Sequence, residues 1–428
     1  MSKDRKVPQG RLGRLARLAR VGARSGAAML TGGGAESAAR QAAEVLGNLR
    51  GLAAKVGQMA SYVDGVVPEA HREAYEGALA QLRAAAPQSS ADEIQGVIED
   101  DLGAPIAELF SEWEREPFAS ASIGQVHRAR LNDGREVAVK VQHPGIDRAV
   151  EADLSNASVV SHLVGAAGPK TMDTVRIFEE IRTRFREELD YELEAQRQEE
   201  FRTLHAGDDK IRIPQVVPER CSRRVLTSEL CHGTSLEDAA AESEPARRAH
   251  AETLWRFVFK GNLVGGAFNA DPHPGNYLFG PDGTVTFLDF GCIQPIEGKR
   301  LDDARQLHLA ALAGEEQAFA ERCKILLETR GGAYERAAID YSRKCFEPLF
   351  SPPFRITRPY VTELVEGVRA MKSLLFQKDG NVVPLPEGMV FINRLQFGFY
   401  SVLARLDVEA DYARVERDFL RAAGLDRA

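Results

Sequence analysis

Three short, oxygen-bearing side chains lie within one stretch of the chain, at a spacing that suggests metal and phosphate chemistry. The stretch DPHPGNYLFGPDGTVTFLDFG begins at Asp271. It predicts a loop, a strand over Tyr277–Phe279, a tight Gly-Pro-Asp-Gly turn and a second strand over Thr284–Leu288. Magnesium takes oxygen ligands, and few of them from protein. Asn276, in the loop, and Asp289, after the second strand, are therefore candidate Mg²⁺ ligands, and Asp271 is a candidate catalytic residue.

A lysine on a predicted β-hairpin could neutralise the phosphates that such a metal bridges. Strand Val126–Leu131, the turn Asn132-Asp133-Gly134 and the returning strand Arg135–Val141 form this hairpin. Side chains alternate along a strand, so Lys140 faces away from the valines of the V-A-V-K sequence. In protein kinases the lysine of this pattern pairs with the α- and β-phosphates. Lys140 is therefore a candidate catalytic and nucleotide-binding residue.

The segment before this hairpin consists mostly of small residues and is the candidate phosphate-covering loop. Protein kinases carry G-x-G-x-x-G at this point, whereas this chain has a single glycine. The sequence G-x-x-x-x-G-K-[ST] is absent, which excludes a P-loop NTPase. The candidate nucleotide-binding residues of this segment are Ala119, Ser120, Ala121, Ser122, Ile123, Gly124, Gln125 and Val126.

A carboxylate is needed to hold Lys140 extended, and an acidic helix supplies the candidates. Residues Thr174–Leu204 predict one long helix on which Asp190 and Glu194 share a face. Glu194 is the candidate partner of Lys140. Glu188 would lie about 120° away from Glu194 on this helix, so it can serve a different partner. A solvated acidic face is the alternative explanation for this run of residues.

A further segment resembles the link between the two lobes of a protein kinase. Ile211–Pro214 and Arg224–Leu230 predict strands, and the sequence Glu-Leu-Cys-His-Gly follows. Glu229 and Cys231 in this link are candidate nucleotide-binding residues. Glu242–Leu263 and nearly all of the chain after Asp302 predict helices. We expect four parts: a basic segment 1–37, a helical extension 38–90, a small lobe 91–231 and a helical lobe 232–428.

Composition narrows the class of protein. The 428 residues are 44% hydrophobic and 28% charged, which is typical of a folded chain with room for two cores. No uninterrupted apolar run reaches the roughly 18 residues of a transmembrane helix. Five scattered cysteines without C-x-x-C favour a reducing compartment, the cytoplasm or an organelle matrix. A net charge of −8 argues against nucleic acid as a partner.

Two N-terminal helices are predicted before the small lobe. Residues 1–24 carry eight Lys and Arg against one Asp, and Arg11–Arg24 would form a basic amphipathic helix, typical of an anionic membrane surface. A solvated tail and a targeting peptide are the alternatives. On the second helix, Ala38–Val63, Lys55 and Gln58 share a face beside Gly57. On these grounds alone, a solvated helix face explains both side chains.

Four signatures together resemble the UbiB family, the atypical protein-kinase-like proteins that support ubiquinone (coenzyme Q) biosynthesis. They are K-x-G-Q at Lys55, S-I-G-Q-V-H ending at His127, E-x-D at Glu188, and D-P-H-P-G-N with L-D-F-G. The resemblance extends from about residue 40 to Phe419. The chain departs from many members at Ser120, where they have alanine. It also lacks the two C-terminal hydrophobic spans of some bacterial members, so any membrane contact is expected to be peripheral, at an inner membrane.

The resemblance implies a two-lobed, kinase-like α+β fold, with the K-x-G-Q extension packed over the cleft that would admit a peptide. Lys55 then becomes a catalytic and regulatory residue paired with Glu188, and Gln58 and Asp190 are further regulatory candidates. The implied ligands are ATP or ADP, Mg²⁺, and a quinone precursor or lipid. A homodimer is a further, open expectation.

The function expected from this resemblance is that of an ATPase or a small-molecule or lipid kinase. A kinase of the aminoglycoside or choline type is one alternative, against which the K-x-G-Q and S-I-G-Q-V-H signatures count. A nucleotide-sensing scaffold without turnover is the other. The presence of all the catalytic side chains argues against a scaffold, although a sequence does not measure a rate.

Overall fold

A five-stranded antiparallel sheet carries Lys140. The computed structural model describes residues 89–120, 123–151, 174–374 and 389–426. Lys55 and Gln58 of the predicted extension therefore lie outside the described residues, as do Ala121 and Ser122. Within the described ranges, no helix is long and apolar enough to cross a membrane.

The sequence Ser90-Ala91-Asp92-Glu93 predicts the start of a helix, and the first described helix begins there. The hydroxyl of Ser90 accepts a hydrogen bond from the backbone N of Glu93 at 3.3 Å, and the Glu93 carboxylate accepts one from the backbone N of Ser90 at 2.9 Å. This reciprocal capping box satisfies two backbone donors at the helix start. The elements up to the lobe link are α1 (Ala91–Leu102), α2 (Ile106–Leu109), β1 (Glu112–Trp113), β2 (Ala119–Ser120), β3 (Gly124–Arg130), β4 (Glu136–Gln142), α3 (Thr174–Glu188), α4 (Tyr191–Leu204), β5 (Ile211–Arg212) and β6 (Val225–Glu229).

Strands β3 and β4 form the predicted hairpin, in a sheet ordered β1-β3-β4-β6 with β2 beside β3. Gly134 adopts φ +91° at the turn, a conformation that favours glycine. Val137, Val139 and Val141 are buried against α1. Lys140 lies on the opposite face of β4, as the alternation of side chains predicts.

The prediction of one continuous helix over Thr174–Leu204 is wrong, because the chain forms the two helices α3 and α4 there. Asp190 separates them with φ −122° and ψ 93°. Its side chain caps α4 by accepting a hydrogen bond from the backbone N of Leu193 at 3.1 Å.

The break at Asp190 resets the helical phase. Glu188 and Glu194 therefore do not have the predicted 120° relation of a single helix. Leu193, the last of the apolar residues at four-residue steps that predict a single long helix with Leu189, is only partly buried. The buried residues of α4 are Tyr191, Glu194, Gln198 and Phe201.

The second lobe is mainly helical, as the sequence predicts. Its core includes a buried polar cluster, in which Trp255 Nε1 donates to Glu416 Oε1 at 3.0 Å and His308 Nδ1 lies 2.9 Å from Glu416 Oε2. Its elements are α5 (Leu236–Ala240), α6 (Glu244–Leu263), β7 (Ala267–Asn269), β8 (Tyr277–Phe279), β9 (Val285–Phe287), β10 (Ile293–Pro295), α7 (Gly298–Ala313), α8 (Glu316–Leu327), α9 (Gly332–Cys345), α10 (Glu347–Phe350), β11 (Phe354–Arg355), α11 (Arg358–Leu374), α12 (Met389–Leu406), β12 (Glu409–Ala410) and α13 (Tyr412–Ala422).

Strand β5 connects the two lobes. Ile211 pairs with Val285 and Arg212 with Thr286, so β5 lies parallel to β9. Phe201 of α4 belongs to the same hydrophobic core as the second lobe. The end of α4 and β5 therefore attach the small lobe to the second lobe, and the division at residue 231 stays a prediction.

His205 follows α4 and lies in an aromatic layer between the lobes. Its ring centroid is 5.0 Å from that of Phe257 and 6.3 Å from that of Phe201. Neither ring nitrogen has a hydrogen-bond partner among the described residues. Burial lowers the pKa of His205 to about 3, and the charges of Lys260 and Arg256 act in the same direction.

We expect the protein to lose stability as the pH falls from about 6.5 towards 3, because the unfolded chain protonates His205 and the folded one does not. The stabilisation is complete above the unfolded pKa and declines as the pH falls towards the folded one. His205→Phe keeps a ring in the layer but removes the titration. Between about pH 7 and 4 its free energy of unfolding should fall by about 3 kcal/mol less than that of the parent. Urea denaturation checks this, with the exposed His232→Gln as control, and equal losses in parent and His205→Phe would contradict it.

Candidate active site

Lys140 and Glu194 meet between the sheet and α4. Lys140 Nζ lies 2.7 Å from Glu194 Oε1 and 3.7 Å from Asp289 Oδ2. The structure thus brings together three of the predicted site residues, from β4, from α4 and from the segment after β9. The Glu194 side chain is 3% exposed and that of Lys140 is 18% exposed, so water screens this ion pair far less than a surface pair.

Burial and the neighbouring charges act differently on the pKa of Lys140 and on the pKa of Glu194. Burial alone would lower the pKa of Lys140, but Asp289 and Glu194 outweigh it and hold that pKa well above its usual value. Burial raises the pKa of Glu194, which Lys140 opposes and Asp289 reinforces. Asp289 attracts the lysine and repels the glutamate, so its charge raises the pKa of Lys140 and adds to the effect of burial on the pKa of Glu194. Lys140 is therefore positively charged at physiological pH, as a phosphate-binding lysine must be.

Hydrogen bonds close the loop between Asp271 and Asn276. Asn276 Nδ2 donates to the backbone O of Asp271 at 3.0 Å, which leaves the amide Oδ1 as the candidate metal ligand. The backbone O of Asn276 accepts from the backbone N of Leu288 at 3.0 Å, next to Asp289. Strands β8 and β9 flank the turn and confirm the predicted hairpin.

Asn269 joins the two halves of this site, and sequence reasoning missed it. Its Oδ1 accepts from the backbone N of Asp271 at 3.0 Å, and its Nδ2 donates to the backbone O of Asp289 at 2.5 Å. The Asn269 side chain thus holds the backbone of Asp271 and the backbone of Asp289. The available signal was a single amide in the otherwise apolar sequence Ala-Phe-Asn-Ala.

The Asp-Phe-Gly segment is packed against the helix that carries Glu194. Phe290 is fully buried, with its ring centroid 5.5 Å from that of Phe201 in α4. Asp289 Oδ1 accepts a hydrogen bond from the backbone N of Gly291 at 2.9 Å. A Cβ at Gly291 would lie 3.3 Å from that Oδ1 and 3.4 Å from Glu194 Oε2, so glycine allows both carboxylates to approach this backbone.

Side chains of the predicted phosphate-covering segment lie on both faces of β3. Val126 pairs with Lys140 in the antiparallel register and so shares its face. The Gln125 side chain is 1% exposed on the other face, where its Nε2 lies 2.9 Å from His127 Nε2, and its contact with a nucleotide stays a prediction. Strand β3 begins at Gly124, two residues earlier than predicted, so the Gln125 side chain follows the strand alternation to the face opposite Lys140.

The other described residues of this segment lie in the small-lobe core, in β2 and at the start of β3. The Ile123 side chain is buried in the small-lobe core, and its contact with a nucleotide stays a prediction. Ala119 and Ser120 form β2, whose backbone pairs with β3. A Cβ at Gly124 would lie 2.2 Å from the backbone O of Val141, so only glycine fits there.

Tyr191 is a second residue that sequence reasoning missed. Lys140 Nζ lies 5.0 Å from the centroid of its ring, within the range of a cation–π interaction. Its buried hydroxyl has no hydrogen-bond partner among the described residues. The cap at Asp190 places Tyr191 one turn before Glu194 on the same face of α4, and this phase cannot be known before the helix break is known.

The lobe link carries the two predicted residues Glu229 and Cys231. The carboxylate of Glu229 forms an ion pair with Arg212 of β5. Burial raises the pKa of the Cys231 thiol to about 11, with Glu229 reinforcing and Arg212 opposing the shift, so this thiol is neutral. Their contact with a nucleotide stays a prediction.

Of the predicted regulatory residues, Glu188 and Asp190 are described. Glu188 ends α3 with 8% exposure. Burial raises the pKa of Glu194 and of Tyr191, and the charge of Glu188 adds to both shifts. Capping of α4 accounts for Asp190. The contact between Lys55 and Glu188 involves residues beyond the described ranges and stays a prediction.

The donor atoms at the site suit magnesium. Asn276 offers an amide oxygen and Asp289 a carboxylate, both hard ligands of the kind Mg²⁺ prefers. In the part of the chain that the structure describes, no three or more His, Cys, Asp and Glu side chains form a metal cage. Two protein ligands fit a cation that takes most of its coordination from water and phosphates.

Comparison with known proteins extends these observations. Residues 81–323, more than half of the chain, match the family model of the ABC1 atypical kinase-like domain. The uncharacterized protein Rv0647c of Mycobacterium tuberculosis is 34% identical over 287 residues, 65% of this chain and 57% of that protein. The mitochondrial atypical kinase coq-8 of Caenorhabditis elegans is 29% identical over 382 residues, 87% of this chain and 49% of that protein. The chain thus spans about half the length of these relatives.

A solved structure is similar along nearly the whole chain. It is the complex of Rv3197 with erythromycin from Mycobacterium tuberculosis, with a TM-score of 0.64 and 28% sequence identity. The match covers 90% of this chain and 95% of that one. The similarity therefore includes both lobes and the segments that join them.

Proposed function

Because this chain belongs to the ABC1 atypical kinase-like family, the UbiB family, we propose that it binds Mg·ATP in the cleft beside Lys140. The kinase-like α+β fold that the sequence predicts is confirmed. We propose further that the bound nucleotide is used by an ATPase, or by a kinase of a small molecule or lipid, in support of ubiquinone biosynthesis.

One observation carries this proposal: the ion pair of Lys140 and Glu194, 2.7 Å long, lies 3.7 Å from Asp289. In protein kinases, both this lysine–glutamate pair and the aspartate of Asp-Phe-Gly must be in place for phosphoryl transfer. The three side chains lie together here, which supports phosphoryl transfer as the chemistry of this cleft.

Each residue of the site has a separate role in the proposed phosphoryl transfer. Asn276 and Asp289 would hold Mg²⁺, which supplies charge neutralisation at the phosphates. Lys140, held by Glu194, binds the α- and β-phosphate oxygens. Asp271 orients the attacking oxygen, which belongs to water in an ATPase and to a substrate hydroxyl in a kinase. Most of the rate enhancement then comes from positioned charge.

Two features support a small acceptor over a protein acceptor. The K-x-G-Q extension, by resemblance, covers the side of the cleft where a peptide would enter. The similar Rv3197 structure is a complex with erythromycin, a small molecule. We therefore propose a quinone precursor or lipid as the ligand, and an anionic membrane surface as the partner of residues 1–24. ATP or ADP binding without turnover is the competing function.

The test is Mg²⁺-dependent phosphate release from ATP by the whole chain, with and without cardiolipin liposomes and phenolic quinone-like compounds. We expect slow release that increases when either addition is present, with the liposome effect largest at low salt. ATP binding without release under any of these conditions would identify a scaffold. Phosphate transfer to an aminoglycoside or choline would identify the alternative kinase class.

A Lys55→Ala variant in the same assay tests whether the K-x-G-Q extension covers the cleft. We expect this variant to bind nucleotide and to gain autophosphorylation or a changed preference between ATP and ADP. Glu188→Gln should do the same, and the double variant should be less than additive, because both changes break one contact. Additive effects, or no effect, would mean that Lys55 is an ordinary solvated residue on a helix surface and does not contact Glu188.

A further inference from the structure

One carboxylate and two arginines form a shielded cluster where α3 and α4 meet. Glu187 Oε2 accepts hydrogen bonds from Arg184 Nη1 at 2.7 Å and from Arg197 Nη2 at 2.8 Å. The side chains are 22%, 15% and 12% exposed respectively, so this Arg–Glu–Arg cluster is largely withdrawn from water. It therefore ties the two helices together across the break at Asp190.

Both arginines reach beyond the helices to the segment that follows Asp-Phe-Gly. Arg184 Nη1 donates to the backbone O of Ile293 at 3.1 Å, and its Nη2 donates to Gln294 Oε1 at 2.6 Å. Arg197 Nη1 donates to the backbone O of Gly291 at 3.4 Å, a long hydrogen bond. Charge-assisted bonds of this kind hold both position and orientation.

The segment that the cluster holds leads directly to the second half of the site. It forms β10, which pairs with β7, and Ile293 lies opposite Asn269. Asn269 in turn bonds to the backbone of Asp271 and Asp289. A continuous set of contacts therefore runs from α4, which carries Glu194, to both carboxylates of the large lobe.

This segment is also short, because α7 begins at Gly298, nine residues after Asp289. In many protein kinases, a longer segment at this point is ordered by phosphorylation, through arginines that bind the added phosphate. Here two arginines bind backbone carbonyls of the segment directly, and Glu187 neutralises part of their charge. The ordering contact is built into the unmodified chain.

We propose that Glu187 is a positioning residue that, through Arg184 and Arg197, couples the lysine–glutamate arm of the nucleotide site to its metal-binding arm. The two arms are Lys140 with Glu194, and Asn276 with Asp289. The part of this inference that concerns nucleotide rests on the proposed function. The mechanical coupling of α4 to β10 does not.

The first test is hydrogen exchange of the nucleotide-free whole chain. Glu187→Gln keeps the size of the side chain but leaves two largely shielded guanidinium groups without their carboxylate. We expect exchange to accelerate about tenfold in both α4 and residues 291–295, since coupled elements open together. Glu199→Gln, which breaks an exposed ion pair with Arg202 on α4, is the matched control and should leave residues 291–295 unchanged. Equal protection of residues 291–295 in parent and Glu187→Gln would overturn the proposal.

The second test separates positioning from stability. Nucleotide affinity is measured with Mg²⁺ and with EDTA, and the ratio of the two reports how well the arms act together. In Glu187→Gln this ratio should fall about tenfold while the EDTA affinity changes little. If both affinities fall equally, the cluster is only structural and the proposal fails. If the parent binds no nucleotide, the proposed function fails, and the exchange experiment still decides the coupling.

Arg197→Lys covers the case in which Glu187→Gln does not fold. Lysine keeps the charge but cannot bond to Glu187 and to the backbone O of Gly291 with one planar group. We expect intermediate exchange of residues 291–295 and an intermediate affinity ratio. A lysine variant identical to the parent in both measurements would contradict the proposed coupling.

Discussion

Asp289→Asn should abolish the part of ATP binding that depends on Mg²⁺. The change removes the charge of a ligand whose value to a hard cation lies in that charge. Asparagine can still accept the hydrogen bond from the backbone N of Gly291 through its amide oxygen, so the local backbone should be retained. In a thermal-shift assay at 100 times the dissociation constant, the parent should gain about 2.7 kcal/mol from Mg·ATP, and the variant should gain almost none.

Asp302→Asn is the matched control for this experiment. Asp302 is 72% exposed and pairs with Arg305 on α7, outside the site, so the change removes one surface charge and nothing else of note. It should keep the whole stabilisation by Mg·ATP. If Asp289→Asn keeps it as well, Asp289 is not a metal ligand, and the assignment of the site to Mg·ATP loses its main support.

The parts of the fold that local rules decide were predictable from sequence. The capping box at Ser90 and the hairpin turn ending at Gly134 each depend on residues within one turn. The orientation of Lys140 follows from alternation along β4. The Asp271–Asp289 stretch was predictable because the loop, the turn and the strands are all short and adjacent.

What the sequence did not reveal depends on where a helix or strand is interrupted. Asp190 is compatible with the exposed face of a long helix and equally with an N-cap, and contacts with distant segments accompany the cap, such as the hydrogen bond from the backbone N of Tyr191 to the backbone O of Arg223. The apolar stripe through Leu189 and Leu193 favoured the wrong alternative. The same kind of error, two residues at the start of β3, left the burial of the Gln125 side chain on the face opposite Lys140 unpredicted.

Contacts between distant segments were also beyond sequence reasoning. Asn269 bonds to residues two and twenty positions along the chain, and only the pairing of β7 with β10 brings the second within reach. Glu187 was one of several acids in a charged helix, with no local feature to distinguish it. Both side chains gain their roles from tertiary structure.

The second large effect is expected at Lys140 itself. Lys140→Ala should abolish tight ATP binding, and it should also destabilise the protein, because Glu194 is 3% exposed and loses its ion-pair partner. Breaking a buried ion pair by removal of one partner costs about 3–5 kcal/mol. Sequence reasoning alone, which places Lys140 on the non-core face of its strand, predicts an intact fold, so the structure changes the expected result.

The pH dependence of Lys140→Ala identifies the source of that instability. Burial already raises the pKa of Glu194 in the parent, and the loss of Lys140 removes the charge that opposes this rise. A carboxyl with a raised folded pKa stabilises the protein below its unfolded value, near 4.3, and this stabilisation is lost as the pH rises through the folded pKa. The variant should therefore lose stability relative to the parent as the pH rises from about 4 to 8. Urea denaturation across that range measures this loss.

The double variant Lys140→Ala with Glu194→Gln separates the two roles of the pair. Glutamine keeps the shape of Glu194 without a charge, so the double variant should recover most of the stability and lose the pH dependence. It should recover no ATP binding, because the cation that holds the phosphates is still missing. Recovery of nucleotide affinity together with stability would mean that Lys140 acts only by neutralising Glu194. Recovery of stability alone is the outcome that a phosphate-binding lysine requires.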